Sequence, residues 1–107
     1  MNDHPLDRLF ATIAARKNGG DAEKSYTAQL LQKGVAQCAK KFGEESTEAV
    51  IAAISGDKTQ LAAESADVLY HLLVLWAAAG ITPADVYAVL KAREAQSGLE
   101  EKAKRPK

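Results

Sequence analysis

Residues 40–80 read KKFGEESTEAVIAAISGDKTQLAAESADVLYHLLVLWAAAG, and the fold depends on how this stretch divides. Ser55-Gly56-Asp57 breaks it near the middle, because glycine supplies the left-handed turn that ends a helix. Before the break, Val35, Cys38, Ala39, Phe42, Ala49, Val50, Ala53 and Ile54 recur at helical spacing, which predicts a helix from Val35 to about Ile54. After it, a second long helix is expected from Thr59 or Gln60 to Ala79, closed by Gly80. Two helices joined so briefly pack antiparallel.

On the N-terminal side, Pro5 suits a first helical position, and Leu6, Leu9, Phe10 and Ile13 follow on one face as far as Asn18-Gly19-Gly20. Ser25-Tyr26-Thr27 opens a short helical piece, Ala28 to Lys33, which Gly34 interrupts. On the C-terminal side, Thr82-Pro83-Ala84-Asp85 joins a capping threonine, a first-turn proline and an acid three residues on. The helix it starts carries Val86, Val89 and Leu90 and fades near Gln96-Ser97-Gly98, leaving a charge-rich tail, residues 99–107, expected to be mobile. No alternating strand pattern occurs. The expectation is one all-α domain over residues 1–107, a small bundle of four to five helices.

At 107 residues, 47% hydrophobic and 26% charged, the chain can bury one modest core. Fourteen basic and fourteen acidic side chains balance, so no overall field draws it to nucleic acid or an anionic membrane. The single cysteine, Cys38, excludes an internal disulfide framework and reads as a small core residue. MNDHPLDRLF lacks the apolar core of a secretory signal, and the apolar run Val68 to Ala79, about a dozen residues, falls short of the ~20 a membrane span needs. A cytoplasmic protein is expected. Leu72-Leu73-Val74-Leu75-Trp76-Ala77-Ala78-Ala79 is apolar nearly all round, so the bundle is expected to be completed by a homodimer through this helix, the alternative being that the short N-terminal helices cover it within one chain. Trp76 reads as interface core and His71, set among leucines, as a hydrogen-bonded packing residue.

Charge is balanced in total but not in distribution. Glu44, Glu45, Glu48, Asp57, Glu64 and Asp67 face one base, Lys58, so residues 44–67 carry a net −5. Glu45 and Glu48 stand three apart on one helix, with Glu44 one turn before Glu48, and Glu64 and Asp67 repeat the spacing on the next. Counted from the turn, the pairs come level, so four carboxylates converge on one site. Converging carboxylates repel unless a cation shares them, and hard oxygen ligands suit Mg²⁺ or Mn²⁺ with substrate phosphate. The same spacing also fits a solvated face in which Lys40 and Lys41 pair with Glu44 and Glu45. Gly43, inside a helix, suggests close approach of a ligand or another helix. Ser25 serves equally as a helix cap.

Lys40-Lys41-Phe42-Gly43-Glu44-Glu45-Ser46-Thr47-Glu48, followed by Glu64-Ser65-Ala66-Asp67-Val68-Leu69-Tyr70-His71-Leu72-Leu73-Val74-Leu75, resembles the phosphoribosyl-ATP pyrophosphatase family. Ser25-Tyr26-Thr27 with Leu30-Leu31 and Gly34, Val89-Leu90 through Arg93, and Gly98-Leu99-Glu100-Glu101-Lys102 extend the likeness over residues 6–105. The acidic pattern alone marks only the wider all-α nucleotide pyrophosphatase superfamily with its MazG-like members. The resemblance implies Mg²⁺-dependent hydrolysis of phosphoribosyl-ATP to phosphoribosyl-AMP and pyrophosphate in histidine biosynthesis, by a cytoplasmic homodimer. It implies a separate cyclohydrolase for the product. Carried over, Glu45, Glu48, Glu64 and Asp67 are metal ligands, and Glu44 is a further ligand or the base that orients water. Lys40, Lys41 and Arg93 meet phosphates, and Ser25, Tyr26 and Thr27 contact substrate. The alternatives are a MazG-like house-cleaning NTP pyrophosphatase and a non-enzymatic helical dimerisation module.

Overall fold

The expected hairpin is the backbone of the molecule. The computed structural model describes residues 4–19 and 25–94, and these form α1 (Pro5–Gly19), α2 (Tyr26–Lys33), α3 (Val35–Ser55), α4 (Lys58–Ala79) and α5 (Pro83–Glu94). No strand occurs among the described residues. The expected fading at residues 96–98 and the tail at residues 99–107 lie outside them.

Each boundary has a local cause. Gly56, at φ +80°, ends α3 in the left-handed region, and Asp57 Oδ1 accepts from the Gln60 amide at 2.9 Å, so α4 begins at Lys58, a residue before the expected start. Ser25 Oγ likewise accepts from the Ala28 amide at 3.1 Å, which starts α2 at Tyr26 rather than Ala28. Gly34 separates α2 from α3 at φ +92°, ψ 176°, a backbone conformation open essentially to glycine alone. Thr82 and Asp85 cap α5 reciprocally: the Thr82 amide donates to Asp85 Oδ2 at 2.8 Å, and the Asp85 amide to Thr82 Oγ1 at 3.3 Å.

α3 and α4 make the principal packing of the fold, with α1 laid against α4 and α2 touching α1, α3 and α4. Ile13, Leu30, Cys38, Leu73, Val74 and Ala77 form the core, flanked by half-buried Leu6, Leu9, Phe10, Leu31, Tyr70, Leu75 and Trp76. The Cys38 thiol donates to the Leu30 carbonyl at 3.3 Å, and burial pushes it above its ordinary pKa. Lys17 Nζ donates to the Ala77 carbonyl at 2.7 Å, tying α1 to the last turn of α4.

Packing within the chain bears on two expectations. The apolar second half of α4 is covered within the chain by α1 and α2, so that half does not itself require a partner. Large apolar side chains left exposed include Val35, Val50, Ile51 and Ile54 on α3, Leu69 earlier on α4, Ile81 after it, and Val89 and Leu90 on α5. At Gly43 a Cβ would meet nothing within 4 Å among the described residues, so no described helix of this chain closes on it. α4 contains an 18-residue window of mean hydropathy 1.3 and is long and apolar enough to cross a bilayer by length and composition, longer than the dozen-residue apolar run suggested. Its acidic face is instead turned to α3.

Candidate active site

Helical spacing sets two stripes opposite each other. Lys41, Glu45, Glu48, Ala52 and Ser55 follow one line down α3, and Gln60, Glu64, Asp67 and His71 run back up α4. Ala52 is buried, which marks where the two helices approach closely beside the acids.

Two of the four expected carboxylates, Glu48 and Glu64, line one hollow across the two helices. A hydrogen bond with Glu48 raises the Glu45 carboxyl above its ordinary pKa; burial and the charges of Glu48 and Asp67 add to this, and Lys41 opposes it. Desolvation leads for Glu64, with the charges of Glu48 and Asp67 and a hydrogen bond that its protonated carboxyl donates to Asp67 raising it further. The interactions Glu45–Asp67 and Glu48–Glu64 cross from α3 to α4, so the two pairs face each other. Among the described residues, no three His, Cys, Asp or Glu side chains close into a metal-binding group. Two open pairs still fit Mg²⁺, which keeps several waters and is bound through one or two carboxylates plus substrate phosphates, not in all-protein cages.

Glu44 stands outside this cluster. Its side chain is 53% exposed, against 14% for Glu45, and it pairs with Lys41 Nζ at 3.7 Å. The spacing of that pair is three residues, not the four expected. Lys41 also acts on Glu45 and His71, which places its ammonium at the end of the carboxylate cluster, whereas Lys40 is exposed and engages none of the described acids in an ion pair.

His71 is buried with Nε2 4.0 Å from Glu45 Oε1, and burial lowers its pKa first, then the Lys41 charge, against an opposing effect of Asp67. Around it lie Tyr26 and Tyr70. The Tyr26 and Tyr70 rings stack at 6.5 Å, and His71 meets each of them edge-on, at 6.1 and 4.9 Å. Thr27 Oγ1 and Tyr70 Oη are hydrogen-bonded. The family-derived stretch Ser25-Tyr26-Thr27 therefore reaches the acids through Tyr70 and His71, with the Ser25 hydroxyl used in the helix cap. Arg93 is not part of this group; it lines a separate hollow with Ile81, Asp85, Val86, Val89 and Leu90.

At the other end of the acids, a hollow of about 220 Å³ opens between the helices, lined by Glu48, Ile51, Ala52, Ser55, Gln60 and Glu64. Ser55 and Gln60 were not singled out from sequence. Their signal was present, since each continues the stripe of its acids by one helical turn, but neither bears charge.

A family model described as phosphoribosyl-ATP pyrophosphohydrolase matches residues 6–94. Among curated relatives named phosphoribosyl-ATP pyrophosphatase, one from Parvibaculum lavamentivorans is 64% identical over 100 residues, covering 94% of this chain and 91% of the relative. One from Cereibacter sphaeroides is 59% identical over 94% of this chain and 96% of the relative. One from Paracoccus denitrificans is 57% identical over 95% of each.

Proposed function

The chain belongs to the phosphoribosyl-ATP pyrophosphohydrolase family, and on that premise we propose that its facing carboxylate pairs are where phosphoribosyl-ATP is hydrolysed to phosphoribosyl-AMP and pyrophosphate, a step of histidine biosynthesis. The observation that carries this reading is the hollow between α3 and α4 that Glu48 and Glu64 line together, with Glu45 and Asp67 one turn further along the same two helices. Like charges held this close destabilise a fold unless a ligand uses them.

Glu45, Glu48, Glu64 and Asp67 would hold Mg²⁺, or Mn²⁺, and the ion would supply positive charge to offset the charge on the leaving pyrophosphate. Lys41, at the end of the cluster, meets the terminal phosphates as a point charge, with Lys40 beside it on α3. Glu44, outside the cluster and one turn before Glu48, accepts the proton of the attacking water. Tyr70 and His71, packed against each other and against Tyr26, hold Glu45 in place and keep bulk water from one side of it. A second copy of the chain is the proposed cover for Val50, Ile54 and Leu69, and the setting is cytoplasmic.

The test is pyrophosphate release from phosphoribosyl-ATP with Mg²⁺ and with chelator, repeated on Glu48→Gln. Release that needs Mg²⁺ and falls at least about a hundredfold in the variant is expected, as for loss of a metal-site carboxylate. Release that persists in chelator, or an unaffected variant, would overturn it.

A further inference from the structure

Along the α3–α4 groove the chemistry of the lining changes. At the α2 end stand Lys41, His71 and the tyrosines; the carboxylates follow; beyond Glu48 and Glu64 the hollow is lined by Ile51, Ala52, Ser55 and Gln60, with no basic side chain. A triphosphate needs the end that carries the cation. What remains for the end without a basic side chain is the base of the same substrate, flat enough to lie against Ile51 and Ala52.

Gln60 is equipped to read such a group. Its backbone amide is fixed by Asp57 at 2.9 Å in the first turn of α4, which sets the position of its Cα. Its side chain stands one turn before Glu64, and its carboxamide makes no hydrogen bond to the described protein. A carboxamide offers a donor and an acceptor side by side, the pair that matches the N7 acceptor and N6 hydrogen of adenine. Attachment of the phosphoribosyl group at N1 leaves that edge free. Ser55 Oγ, which donates to the Ala52 carbonyl at 2.8 Å, keeps lone pairs to accept from a ligand in the same hollow.

We propose that Gln60 is a specificity-determining residue which binds the adenine N6/N7 edge in this hollow, so that the substrate lies along the groove with its base toward the α3–α4 turn and its phosphates toward Lys41. This rests on the hydrolytic reading above and goes beyond it by assigning a direction and a base contact. The experiment is a cycle of wild type and Gln60→Ala, each on phosphoribosyl-ATP and on its 7-deazaadenine analogue, which lacks the N7 acceptor. In wild type, kcat/KM should fall about tenfold or more on the analogue, chiefly through KM, in line with the worth of a bidentate contact. Gln60→Ala should show a similar fall on the natural substrate and little further loss on the analogue. Gln60→Glu, which keeps the acceptor and loses the donor, should behave as the alanine variant does toward N7. Equal analogue penalties in wild type and Gln60→Ala would overturn the base contact while leaving the hydrolytic reading intact. Wild type that releases no pyrophosphate from phosphoribosyl-ATP would remove the reading on which the contact rests.

Discussion

The two ends of the α3–α4 hairpin are built differently. At the end where α4 finishes, Leu73, Val74 and Ala77 are buried beneath α1 and α2, and Lys17 binds the last turn. At the end where the helices turn, Ile51 and Ile54 stay 62% and 82% exposed, and only Ala52 is buried between the helices. The carboxylates lie between the two. One end carries the stability of the chain, and the other leaves room for a ligand and for a second copy. A site placed at the boundary has a rigid floor on one side and an open groove on the other.

The sharpest way to break this contrast is a matched pair of truncations. Leu73→Ala should destabilise the protein by about 2–5 kcal/mol, since α1 and α2 surround the cavity it leaves. Ile54→Ala should cost under about 0.5 kcal/mol in the separated chain, because there is little burial to lose. Urea unfolding at low protein concentration measures both. If a second copy covers this end, sedimentation will show Ile54→Ala weakening self-association while Leu73→Ala acts through folding. Comparable losses from the two truncations in the separated chain would erase the distinction between the ends.

A smaller effect tests what holds the stable end shut. Lys17→Met keeps the aliphatic stem but removes the donor to the Ala77 carbonyl and a cation from the C-terminus of α4. A loss of about 1–2 kcal/mol is expected. Lys33→Met, at the exposed end of α2, should stay within about 0.5 kcal/mol. Equal midpoints in denaturant for the two variants would show that the cross-helix bond contributes nothing particular.

How far the sequence foretold these two ends follows from what periodicity records. Apolar spacing, Gly34, Gly56 and Gly80 marked the helices, and the three-residue spacing of the acids placed Glu45 and Glu48 opposite Glu64 and Asp67. Both depend on the chain's own period. The covering of α4 by the N-terminal helices was the lesser of two alternatives, because it depends on where α1 and α2 lie, which no local pattern encodes. Tyr70 was missed for a related reason: its partners Tyr26 and Thr27 come from a helix some forty residues earlier. Ser55 and Gln60 were hidden by being uncharged, and Arg93 carried the family's likeness without the geometry to reach the acids in the described chain.

Gly43 offers a slighter probe, and one in which stability and activity can part. It sits inside α3 with open space where a side chain would go. Gly43→Ala should raise stability by about 0.5–1 kcal/mol, the gain from restricting the unfolded chain and improving helix propensity. If substrate passes close to the backbone there, between Lys40 and Glu44, the same variant will melt higher and turn over more slowly. Unchanged kinetics with higher stability would leave the glycine without a role in the site.

The smallest effect lies in the acids themselves, which remain in contact with water and are screened by salt. Glu45 and Glu64 have folded pKa values above their ordinary ones, so the folded chain keeps protons that the unfolded chain has already released. Their contribution therefore falls as pH rises from the ordinary carboxyl value through the raised one, and the penalty persists at every higher pH. His71 works in the other direction. Its folded pKa is lowered, so its stabilisation is present above the ordinary imidazole value and is lost as pH falls from there toward the folded one. Thermal melts in chelator should show both slopes, the acidic one at lower pH. Glu48→Gln should flatten the acidic slope, because the hydrogen bond and charge of Glu48 act on Glu45, and its charge also acts on Glu64. The His71 slope should survive the change, since burial is its first cause. An acidic slope that Glu48→Gln leaves untouched would mean that the two pairs do not share their charge, and the boundary between the two ends of the hairpin would then hold four separate acids.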